Sequence, residues 1–166
     1  MRVAGTLIVI VLLIAALYFF VVYSGVYSVA AHPEGGGFLA WTLDKTSDHS
    51  VERHAAGIKV PNLDDPALIA AGAEEYHEAC VQCHGAPGKD PEKFTQGMDP
   101  SPPHYDEIGK ELPPANIFWV AKNGIQMTGM PAFRVTESDH TLWGVVALMK
   151  KLPAMSPADY EKLTKE

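Results

Sequence analysis

Cys80 and Cys83 are the only cysteines in this 166-residue chain, and His84 and Gly85 follow the second at once. Two thiols three positions apart can each add to a vinyl group of a porphyrin, and an imidazole directly after them can ligate the iron from one face. A dithiol redox site has no use for that histidine, and a zinc site needs a second pair of ligands. The spacing therefore points to one covalently attached haem c, with His84 on its iron.

The iron's other face needs a second ligand. Gly124 to Phe133 offers two methionines, Met127 and Met130. Met130 is the expected partner, because Pro131 restricts its backbone and Gly129 lets the chain run close to a flat ring; Met127 is the substitute. A thioether is a soft, neutral ligand that favours ferrous iron, so a His and Met pair raises the reduction potential and leaves no open site for oxygen or peroxide. The expected role is a one-electron carrier rather than an enzyme.

These residues must be carried by helices, since apolar positions recur at helical spacing and no segment reads as a strand. A first helix is expected from about Pro66 to Cys80, signalled by Asp64 and Asp65 and opened by Pro66, with Leu68, Ile69, Gly72, Ala73 and Tyr76 at helical spacings. A second runs from about Pro114 to Lys122 and stops at Asn123-Gly124. A third begins near Ser138 and ends at Leu152 before Pro153, and a short turn or helix follows from Ser156 to Thr164. Between the first two lies a loop from Asp90 to Pro114 with Pro100, Pro102, Pro103 and Pro113, long enough that it is expected to wrap the cofactor.

With these residues in view, the chain resembles a class I monohaem cytochrome c over roughly Asp64 to Leu152. The likeness is carried by Cys80-Val81-Gln82-Cys83-His84-Gly85, by Gly129-Met130-Pro131-Ala132-Phe133 and by the flanking helices. It implies an all-α fold of three to four helices around one haem. It also implies a crossing of the first and last helices in which Gly72 and Tyr76 pack against Trp143. Phe118 to Gly124 and Met127 to Pro131 are similar to membrane-anchored bacterial monohaem cytochromes. In cytochromes of the four-helix c′ type the haem motif lies near the carboxyl end, whereas here it opens the domain.

Ahead of that domain, Val3 to Tyr23 is free of charge and about as long as a membrane-crossing helix. Ser28-Val29-Ala30 would suit a signal cleavage site. The apolar run is longer than a signal peptide's, however, and Tyr18, Phe19, Phe20, Tyr23 and Tyr27 gather at its far end like an interfacial belt, so a retained single-pass anchor is expected. Arg2 would keep the short amino-terminal end cytoplasmic and place the haem on the periplasmic side of a bacterial cytoplasmic membrane, where c-type attachment is made. The resulting division is an anchor over 1–28, a linker over 29–65 and a cytochrome c domain over 66–166. The linker holds a glycine-rich break at Ala31 to Gly37 and room for a short amphipathic helix or partner-binding segment between Phe38 and Ile58.

A net charge of −7 with no basic stripe argues against nucleic acid as a partner. The expected partners are the bilayer and redox proteins such as a dehydrogenase, a quinol-oxidising complex or a terminal oxidase. Two other readings stand beside the carrier: a structural or docking subunit of a larger redox complex, and a ligand-sensing or peroxidase-like haem protein with an accessible iron. Of the other histidines, His32, His49, His54, His104 and His140 read as surface or helix-face residues; His77, one turn before the motif, is the nearest alternative ligand. Trp119 and Tyr105 could reach a haem propionate, and Lys89, Lys93, Lys110 and Lys122 could ring a haem edge and steer an acidic partner.

Overall fold

The computed structural model describes residues 2–31 and 36–164, so His32, Pro33, Glu34 and Gly35 of the expected glycine-rich break lie outside the described residues. The chain divides into two compact units, 1–31 and 32–166. The first is one helix, α1 (Arg2–Ser24), 23 residues long and about 35 Å from end to end at 1.5 Å per residue. It is the one helix among the described residues long and apolar enough to cross a membrane, by length and composition. None of its residues is buried.

The second unit is helical, and its described residues contain no strand beyond an isolated bridge between Ala86 and Lys89. α2 (Phe38–Ala55) occupies the stretch before the haem motif. α3 (Pro66–Glu75), a π turn (Tyr76–Cys80) and α4 (Val81–His84) then form one continuous run. α5 (Tyr105–Glu111), α6 (Pro114–Asn123), α7 (Asp139–Lys151) and α8 (Pro157–Leu163) complete it. The expected helices are all present, and α5 appears inside the stretch read as proline-rich loop. Its seven residues carry only Ile108 as a clear apolar anchor, too short a run for periodicity to reveal.

Local chemistry sets the helix starts. The Asp65 carboxylate accepts the Ala67 amide at 2.9 Å with Pro66 in the first turn, which satisfies an amide that a helix start leaves open. Ser138 and Ser156 cap α7 and α8 the same way, each accepting an amide at 3.1 Å. Gly124 ends α6 at φ +68, a backbone conformation that costs glycine little.

α7 is the centre of the unit, burying Leu142, Val145, Val146, Leu148 and Met149, with α3, α5 and α6 packed around it. Its tightest neighbour is α3. A Cβ added to Gly72 would fall on the Gly144 carbonyl carbon and the Val145 nitrogen, and one on Gly144 would fall on the Leu68 carbonyl oxygen. The two backbones touch there without side chains between them. The aromatic pairing differs from the expectation in its partners. Tyr76 meets Tyr160 of α8 edge-on at 6.5 Å, whereas Trp143 lies flat on Phe118 of α6 at 4.1 Å. Two glycines bring α3 and α7 so close that no ring fits between them, and α8 supplies the ring instead. Lys151 at the end of α7 pairs with Asp64, and Lys150 donates to the Leu112 carbonyl at 3.1 Å, clipping α7 to the chain on either side.

Gly72→Val should destabilise the haem-loaded protein by about 3 kcal/mol, because the added atoms meet backbone that cannot turn aside. A denaturant titration followed by circular dichroism measures it, and an unchanged midpoint would refute the crossing.

Candidate functional site

Cys80, Cys83 and His84 stand at i, i+3 and i+4 and so share one face of the helical run. That face lines a cavity of about 530 Å³, and Met130 lines the same cavity. The volume lies within the range of about 300–1,000 Å³ usual for cofactor sites. Most of the remaining wall is apolar: Ile117, Val120 and Ala121 come from α6, and Leu142, Val145 and Met149 from α7. Pro100, Pro102 and Pro103 close it from the loop, which thus does line the site it was expected to wrap.

The turn that delivers the thiols is wide. The Val81 amide donates to the Tyr76 carbonyl, five residues back, so one extra residue is absorbed just before the motif. At the other end Gly85 leaves the helix at φ +69, and the buried Tyr76 hydroxyl donates to its carbonyl at 2.7 Å. Tyr76 therefore spans the motif from the inside. Burial pushes the Cys80 thiol up to about 12, and Cys83 is raised for the same reason. Among the described residues no cluster of three metal-binding side chains exists, and no group lowers either thiol toward the reactive thiolate of a redox or nucleophilic site.

His84 is held from behind. Its Nδ1 lies 2.8 Å from the Pro103 carbonyl, and a carbonyl can only accept, so Nδ1 carries the proton and Nε2 keeps its lone pair for a metal. Burial, with a smaller contribution from His104, lowers the imidazole below its ordinary value and so favours its neutral form, although the Pro103 hydrogen bond acts the other way. The loop is fixed one residue later: His104 Nδ1 lies 2.6 Å from Asp106, whose other oxygen takes Lys110 at 3.0 Å. The bonds from His104 and Lys110 hold the Asp106 carboxyl down at about 2.

Met130 is part-buried in a pinned turn. Its amide donates to the Thr128 hydroxyl at 3.1 Å, and its carbonyl accepts from Ile125 at 3.2 Å. Met127, two residues before Gly129, sits at the tip of that turn with φ +63 and is 92 % exposed, away from the cavity. A methionine not singled out in the sequence, Met98, does line the cavity, and its Cε packs where a Gly129 side chain would stand. Its only sequence cue is a place in the proline-rich loop.

Other candidates lie elsewhere. His77 turns to the Tyr160 hydroxyl at 3.3 Å and does not line the cavity. Trp119 stacks on His54, Tyr105 lies tilted against His104, and neither residue lines the cavity. Lys89 sits over Tyr160, Lys110 pairs with Asp106 and Lys122 with Asp139. None of these lysines, nor Lys93, lines the cavity; the charged residues that do are Asp48, Glu52 and Glu75 besides His84.

The family model described as cytochrome c oxidase, cbb3-type, subunit III matches residues 67–149, half of the chain. No curated protein and no solved structure gives a significant match.

The Asp106 carboxyl is held below its ordinary 3.8, so it favours the folded state above that value and loses the contribution as pH falls through about 2. Asp106→Asn should therefore unfold at a lower temperature than the parent at neutral pH, with the gap closing between pH 4 and pH 2. Thermal melts across that window measure it; a gap independent of pH would refute the role given to the carboxylate.

Proposed function

Because the chain belongs to the family described as cytochrome c oxidase, cbb3-type, subunit III, and is thereby a class I monohaem c-type cytochrome with covalently attached haem c, we propose that it is a membrane-anchored carrier of single electrons in which His84 and Met130 would hold the iron. The observation that supports this most directly is that Cys80, Cys83, His84 and Met130 all line one apolar cavity. When bound, the haem supplies an iron that gains and loses one electron.

The chain's own residues do the rest. Cys80 and Cys83 anchor the ring through thioethers. The Pro103 carbonyl fixes the tautomer and orientation of His84, and the Thr128 hydroxyl and Ile125 amide hold the turn that presents Met130. Ligands held this firmly move little when the charge on the iron changes, and that lowers the barrier to electron transfer. The apolar wall keeps water off the site and, together with the neutral thioether, favours the reduced state. α1 would tie this domain to a bacterial cytoplasmic membrane with the haem on the periplasmic side. There it would pass electrons between a dehydrogenase or quinol-oxidising complex and a terminal oxidase. A second reading is favoured by the family's description, which names an oxidase subunit: the chain would be a fixed electron-transfer subunit of a larger complex. Size-exclusion chromatography after mild detergent extraction separates the two, since a monomer argues for the shuttle and a stable complex for the subunit.

Met130→Ala should convert a six-coordinate, low-spin haem into an open or solvent-ligated one, with a lower reduction potential, whereas Met98→Ala should keep the low-spin spectrum. Optical spectra of the two variants decide it: the opposite pattern moves the ligand to Met98, and an unchanged Met130→Ala spectrum overturns the assignment.

A further inference from the structure

The family match begins at residue 67, yet one wall of the haem cavity comes from before it. α2 lines the cavity with Ser47, Asp48, Val51 and Glu52, beside Asn116, Ile117 and Val120 of α6, on which it packs. The pattern is helical, since Ser47, Val51 and Ala55 are spaced by four and fall on one face. That face turns inward: Ala55 is 2 % exposed. At the same end the His54 ring stacks on Trp119 of α6, with centroids 5.5 Å apart and planes 26° from parallel. His54 Nδ1 is tied back to the Ser50 carbonyl at 2.7 Å, which sets the ring for that stack. α2 is thus docked on α6 by a small-residue face and an aromatic contact, and it brings two carboxylates to the cavity. Asp48 pairs with Lys45 at 2.9 Å, and Glu52 lies 3.3 Å from His49 Nδ1.

We propose that α2 is a built part of the haem site: Val51 closes the cavity edge beside α6 against water, and Asp48 and Glu52 beside it tune the reduction potential and favour cationic electron donors. The inference rests on the haem reading given above. It follows from two opposed effects. A wall that excludes water disfavours the more highly charged ferric state and raises the potential. Carboxylates at the same edge stabilise the ferric state and lower it, and their field draws cations and repels anions. Removing the wall and removing the charges should therefore move the potential in opposite directions, which a helix that merely covers the domain surface would not do.

The test uses the full-length, haem-loaded chain in detergent, with the parent compared against Asp48→Asn/Glu52→Gln and against Ala55→Gln, which pushes a polar side chain into the α2–α6 contact. Midpoint potentials come from optical redox titration. Reduction rates at low ionic strength are measured with hexaammineruthenium(II), which gives one electron to ferric haem and becomes ruthenium(III), and with ascorbate as the anionic one-electron donor. The double variant should show a raised potential and a ratio of cationic to anionic rates lower by about tenfold. Ala55→Gln, which keeps both carboxylates, should show a lowered potential with the parent's ratio of cationic to anionic rates. The double variant conserves shape, so it carries the test even if Ala55→Gln does not fold. A folded double variant with the parent's potential and rate ratio overturns the role of α2. A parent chain that never acquires haem absorption bands overturns the haem reading instead.

Discussion

The second unit depends on a contact between two backbones. Where α3 crosses α7, Gly72 and Gly144 bring main chain against main chain, and everything that follows on α3 is aimed from that point. The helical run continues from Gly72 through the wide turn to Cys80, Cys83 and His84, so the haem motif stands at the end of a lever pivoted at the crossing. α7 in turn contributes Leu142, Val145 and Met149 to the cavity wall. One close approach thus fixes the distance between the Cys80–His84 motif and the apolar cavity wall that α7 supplies. Close packing here is specific because there is no side chain to adjust.

Around that pivot, polar groups are spent on the motif and the ligand turns rather than on the cavity itself. Tyr76 reaches Gly85, His84 reaches Pro103, and Thr128 holds Met130. No buried side-chain nitrogen or oxygen among the described residues lacks a partner. Most of the cavity wall is left to apolar contacts, which impose shape and exclude water, with the carboxylates Asp48, Glu52 and Glu75 as its charged exceptions. That division suits a centre whose task is to change charge while its surroundings stay still.

The parts of this arrangement legible in the sequence are those written in a few adjacent residues. Cys80 to His84 announces its chemistry through spacing, Pro66 and Ser138 announce helix starts, and Gly129-Met130-Pro131 marks a turn where the chain can approach a ring. What stayed hidden depends on packing at a distance. Gly72 stands on an apolar face in the sequence, but that it meets Gly144, and that Tyr76 pairs with Tyr160 of α8, are facts about how separate helices pack. Met98 carries no local mark at all, and Met127 differs from Met130 only by standing at the exposed tip of the turn. α2 was visible as a possible amphipathic helix, yet Ser47, Val51 and Ala55 are too small and too mixed with charged residues to announce a face that lines a cofactor cavity. The lysines needed the structure as well, since a count of basic residues does not reveal that Lys89, Lys110 and Lys122 are engaged by Tyr160, Asp106 and Asp139.

The wide turn at Tyr76–Cys80 bears on how this helix can tolerate change in chain length. A regular α-helix advances about 100° per residue, so a deletion anywhere between Pro66 and Glu75 would swing both thiols and the histidine about a quarter-turn off the cavity. Inside the π turn the outcome differs. One residue there is surplus to regular winding, and its loss would let the helix close up while leaving both flanks in phase. The crossing with α7 and the haem motif are thereby keyed to separate segments of one helix, with the slack between them confined to five residues.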